Sequence, residues 1–150
     1  MKRTLICAVV IVALALSAVA VAVAGIRHYH GSVEGGGTLR FVTKVHHGET
    51  IKVRRFVFNH VPMECDDGAS TVGDVGTAPP PMQVNARHRF HGNFTSAAGR
   101  KHLHIDGRLK HHDRKAVGSL RVRGDFGGGS THCDTGMDDW RAKRGGGSTP

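Results

Sequence analysis

Aromatic side chains are scarce in this chain of 150 residues: six Phe, one Tyr and one Trp. A core built from them must lean on Val, Leu and Ile. At about 1.5–3 kcal/mol per buried large apolar side chain, that leaves little margin in a single domain of this size. Cysteine is sparser still, at three, and after the N-terminus no long apolar run occurs. No later stretch carries the three-to-four-residue apolar spacing of a helix. Carboxylates are outnumbered by Lys and Arg, 12 to 21, which sets the formal net charge at +9. The chain has no nucleophile elbow, no His-Glu-x-x-His helix and no ordered Ser-His-Asp spacing, so the expectation is that it is not an enzyme.

Met1-Lys2-Arg3 is a basic start, and residues 5–26 then run without a charge. The run ends in alternating Ala and Val, with small-x-small sites after Ala20, Ala22 and Ala24. That pattern reads as a secretory signal peptide over residues 1–24. An uncleaved N-terminal membrane anchor is the alternative, because about 20 apolar residues span a bilayer. Both readings place the remainder outside the cytoplasm, secreted or held at the cell surface. Cys7 falls within the run, leaving Cys65 and Cys133 as the expected disulfide of an exported domain.

Residues 25–37, rich in Gly and His, read as a linker, residues 38–143 as a β-domain and residues 144–150 as a disordered tail. Leu39, Phe41, Thr43 and Val45 alternate with polar neighbours. In the next strand Ile51 and Val53 share one parity and Phe56 and Phe58 the other, which predicts a β-bulge at Arg54-Arg55. Asn59 to Pro62 is expected to end that strand, and residues 66–83, with Pro79-Pro80-Pro81, to form a loop. A third strand is expected over residues 84–90, followed by a turn at Gly92. Leu103, Ile105, Gly107 and Leu109 give the clearest alternation, and Ala116, Gly118, Leu120 and Val122 repeat it. Trp140 and Ala142 point inward from a last strand. The predicted fold is all-β, an antiparallel β-sandwich or else a small β-barrel.

Twelve histidines follow the apolar run. His88, His91, His102 and His104 are the candidate ligands of a zinc or copper ion, since neighbouring strands can bring such rings together; the expectation without them is no cofactor. With an ordinary imidazole pKa near 6.5, so many rings would add positive charge in mildly acidic surroundings. Six carboxylates, Glu64, Asp66, Asp67, Asp134, Asp138 and Asp139, lie close in sequence to Cys65 or Cys133 and raise a weak calcium site as a further option.

Val61-Pro62-Met63-Glu64-Cys65 and Cys133-Asp134-Thr135-Gly136, with Trp140 and Ala142 following, resemble motifs of small exported all-β proteins of high-GC Gram-positive bacteria. The resemblance implies a disulfide-tied β-domain closed by Thr135, Gly136 and Trp140, and implies no activity. The leading functional expectation is a non-enzymatic binding or structural module of the cell envelope or extracellular space. Its basic surface would meet an anionic cell-wall polymer, a headgroup surface or extracellular nucleic acid. A secreted His-rich metal-binding protein is the alternative, and a glycan-active enzyme on a β-sandwich the third.

Overall fold

A computed structural model describes residues 24–75, 79–126 and 131–145. The expected signal peptide falls almost wholly outside them. The described chain is all β: β1 (Gly25–Val33), β2 (Thr38–His46), β3 (Glu49–Asn59), β4 (Val61–Cys65), β5 (Ser70–Gly73), β6 (Met82–Gln83), β7 (Arg89–Thr95), β8 (Lys101–Lys110), β9 (Lys115–Asp125), β10 (His132–Asp134) and β11 (Asp138–Arg144). Every pairing is antiparallel.

The strands form one continuous open sheet. Its main run is β7-β8-β9-β11-β1-β2-β3-β6. The second edge of β9 is shared: residues 115–120 pair with β11 and residues 123–125 with β10. From β10 a short branch continues through β4 to β5. Five strand spacings separate β7 from β2, about 24 Å along a flat sheet. Yet the Phe90 and Phe41 rings lie 6.1 Å apart. The sheet therefore curls over its own inner face, and β6 comes into contact with β7 without a ladder between them.

The few aromatics are all spent inside this curl. Phe41 stacks on Tyr29 at 4.5 Å and on Phe56 at 5.5 Å, and Trp140 meets it edge-on at 6.0 Å. Phe58 and Phe90 are also buried, while Phe94 and Phe126 pack against the cluster half-buried. Glycine makes room for two of these rings. Gly107 and Gly118 face each other across β8 and β9. A Cβ on Gly107 would strike the Phe90 ring, and one on Gly118 would strike the Asp106 carbonyl and the Trp140 indole.

Several expectations need correction. The supposed linker contains β1, a central strand that buries Tyr29 and Val33 between β2 and β11. The chain does not stop pairing at Pro62; β4 carries it, with Pro62 exposed. The stretch read as loop over residues 66–83 contains β5 and β6. The strand expected at residues 84–90 is mainly a turn, because the Asn85 carboxamide accepts the amides of Arg87 and Arg89. Gly92 lies within β7, not at a turn. Arg144 belongs to β11, and the Gly145 amide bonds the His28 carbonyl, so the first two residues of the expected tail are tied to the sheet; residues 146–150 lie outside the described residues.

The bulge at Arg54-Arg55 is present: the register shifts between Arg40 and Val42, and Arg55 takes a φ of 50°. A second shift, between Lys44 and Val45, falls opposite Ile51 and turns Thr50 rather than Ile51 into the interior.

Candidate functional site

Cross-strand registers on β7, β8, β9 and β11 align outward side chains into rows. Arg89 faces Arg108, Arg108 faces Val117, and Val117 faces Arg141. One pair of residues along, Lys110 faces Lys115, Lys115 faces Lys143, and the row continues through His30 to Arg40 on β1 and β2. Apart from half-buried Val117, all these side chains are exposed. Directly opposed residues on neighbouring strands lie about 4.5–5.5 Å apart, so Arg89 and Arg108 in one row, and Lys110, Lys115 and Lys143 in the other, are like charges set side by side. Like charges placed opposite one another cost stability. Among the described residues, none of these Lys and Arg side chains has a carboxylate within 4 Å.

An open groove of about 900 Å³ runs beside Gly107 and Gly118, and Phe90 and Trp140 contribute to its lining. Arg89, Arg108 and Arg141 line one wall, and His91, Asp106 and Asp139 line the other. Asp106 is already held by His104 Nε2 at 2.6 Å.

The four histidines singled out as ligands do not gather. His88 sits in the turn before β7, with Nδ1 3.4 Å from Asp113 Oδ1. His91 lies opposite Asp106. The His102 ring bonds Thr95 Oγ1 at 3.2 Å, and His104 uses one nitrogen on Asn93 and the other on Asp106. Among the described residues no three His, Cys, Asp or Glu side chains converge as a metal would require. That geometry gives the zinc or copper reading no support.

The disulfide joins Cys65 and Cys133, register partners on β4 and β10. The Thr135 amide donates to the Val122 carbonyl on β9, the Thr135 hydroxyl accepts from the Val122 amide, and Gly136 turns at a φ of 72°. The nearby carboxylates do not form one set. Asp134 is gripped by the Arg121 guanidinium, which holds its carboxyl below the ordinary value, helped by the Gly136 amide. Asp138 goes the other way: partial burial, then the charges of Glu34 and Asp139, push it up.

A cluster at the opposite end was not foreseen. Asp113, in the turn between β8 and β9, is buried at 5% exposure. Its Oδ2 accepts from Arg27 Nη1 at 2.7 Å and from the Thr50 hydroxyl at 2.6 Å. Its backbone carbonyl accepts from the Tyr29 hydroxyl at 2.6 Å. Burial, and after it the Asp113 charge, raise the Tyr29 pKa above the ordinary value. Thr50, Asp113 and His88 are the residue types of a nucleophilic triad in the wrong order. The carboxylate sits between the hydroxyl and the imidazole, so the Thr50 proton is directed to Asp113 and not to a histidine. The cluster ties β1, β3 and two turns together.

No protein-family model matches the chain, and no match to it is found among curated proteins or among solved structures.

Proposed function

We propose that this chain is an exported, non-enzymatic β-domain that holds an anionic polymer against the cationic rows of β7, β8, β9 and β11. The observation that carries the proposal is the alignment of Arg89, Arg108 and Arg141 beside Lys110, Lys115 and Lys143 with no carboxylate within ion-pairing distance. Such repulsion is offset when a polyanion lies across the rows and releases its counterions. Nucleic acid bases and sugar rings are ordinarily gripped by exposed aromatic faces, and here every aromatic is buried or half-buried. Phe126, one of the two half-buried rings, already lies under the Lys101 ammonium at 4.4 Å. Recognition by charge alone suits a flexible phosphate- or carboxylate-bearing polymer of the envelope. Export rests on the basic start and apolar run, and a Cys65–Cys133 bond is what an oxidising compartment maintains.

The test is retention on immobilised polyphosphate over a salt gradient, comparing the protein with an Arg108→Glu/Arg141→Glu/Lys143→Glu variant. Retention that falls steeply with salt, and is lost in the variant, is the expected result. Equal retention of both proteins would refute the assignment.

A further inference from the structure

We propose a second surface, adjoining the Lys110–Lys115–Lys143 row: the end of the domain where the chain enters docks onto a bilayer bearing anionic headgroups. The position of that entry comes from register. β1 starts at Gly25, paired with Val45 beside the β2–β3 turn. In sequence, residue 25 lies inside the uncharged stretch of residues 5–26, so where the run is kept as an uncleaved anchor no spacer separates it from the sheet. The other turns of this end are fixed to it. Arg27 Nη2 donates to the Gly48 carbonyl, Asp113 binds Arg27 and Thr50, and His88 approaches Asp113. The Arg144 amide reaches the Arg114 carbonyl.

The chemistry of this end fits such a surface. Lys44, Arg87 and Arg114 are exposed on it. Of its two carboxylates, Asp113 is buried on Arg27, which leaves Glu49 as the exposed one. Ile26, the most exposed large apolar side chain among the described residues at 66%, faces Lys44 across β1 and β2. An apolar side chain among cations suits the headgroup boundary, where both kinds of contact are met. The turns are also backbone-strained: His47, His88, His111, His112 and Asp113 all take φ between 50° and 59°. Left-handed residues other than Gly persist only where their surroundings hold them, and they concentrate at functional sites.

The apolar run by itself would bring the full chain to any bilayer, so the readout is orientation, not binding. Amide exchange of the full chain is followed on vesicles of phosphatidylcholine and on vesicles with added phosphatidylglycerol. Slowed exchange at residues 46–49, 86–88 and 111–114 on the anionic vesicles only, with residues 96–100 at the opposite end unchanged, is expected. Each cation near such a surface is worth about fivefold in partition. A Lys44→Gln/Arg87→Gln/Arg114→Gln variant should therefore weaken the preference for anionic over neutral vesicles about a hundredfold and abolish the protection. Equal protection on both vesicles, protection at both ends, or the same protection of residues 46–49 from soluble polyphosphate would each overturn the proposal.

Discussion

Replacing Asp113 tests whether the end cluster is a lock. The Asp113 side chain is 7% exposed and that of its partner Arg27 23%. Asp113→Ala leaves the guanidinium with the Gly48 carbonyl and the Thr50 hydroxyl as its protein partners. Removing one partner of a buried ion pair costs about 3–5 kcal/mol. Arg27 can still reach some water, which places the loss near the lower end, and Ala at a φ of 59° adds about 1 kcal/mol of left-handed strain. Asp113→Asn should behave differently. Asn tolerates the left-handed region and its amide oxygen can still accept from Arg27 and Thr50, so only the charge assistance is lost, about 1–2 kcal/mol. Urea unfolding followed by the fluorescence of Trp140, the sole tryptophan, reads both. The expected order is wild type, then Asn, then Ala, at unchanged denaturant slope. Arg27→Met combined with Asp113→Asn should cost less than the sum of the two. Strict additivity, or an Ala variant within about 0.5 kcal/mol of wild type, would refute the idea that the pair acts as one unit.

Two further outcomes follow from the opposite end. Cys133→Ser releases a cross-link of sequence separation 68 and should lower stability by about 4 kcal/mol on the chain-entropy account; a variant as stable as the parent in urea would show that β10, β4 and β5 hold without it. Asp138→Asn should raise the melting temperature at pH 7. The folded-state pKa of Asp138 lies above 3.8, so its charged form is disfavoured in the folded protein. That penalty is fully present above the raised pKa and vanishes below 3.8, so the variant's advantage should close as pH falls through that window. For a side chain only partly buried the gain should stay under about 1 kcal/mol, and a loss at pH 7 would contradict the assignment.

What could be read in advance was what period-two alternation carries. Leu103 to Leu109 and Ala116 to Val122 alternate cleanly, and β8 and β9 follow them. The parity switch at Arg54-Arg55 located one bulge, but the one at Ile51 left no such mark. Thr50 is buried because Asp113 binds its hydroxyl, a contact made 63 residues away. β1 was hidden by its composition. In GIRHYHGSV only Tyr29 and Val33 are buried, and Gly31 stands where the Ala142 backbone comes too close for a Cβ. The third strand was misplaced because Asn85 makes a local turn that an apolar pattern cannot express. The cationic rows were equally illegible: charge could be counted, but only register shows which charges stand side by side. Four histidines spaced like ligands stand at separate places on the sheet, three of them beside Asp113, Thr95, Asn93 or Asp106.

The adjacency of β1 and β11 has a mechanical consequence. They are antiparallel hydrogen-bonded neighbours, and Gly25 and Gly145 lie toward the same end of the domain. A pull applied to both would load the β1–β11 ladder from one end, opening its bonds one after another, because antiparallel bonds run perpendicular to the strands. Unzipping of this kind resists force far less than shearing. Tension on the two chain ends would strip β11 from β1 first, while the β4–β10 pair, fastened by Cys65 and Cys133, would be out of the line of pull.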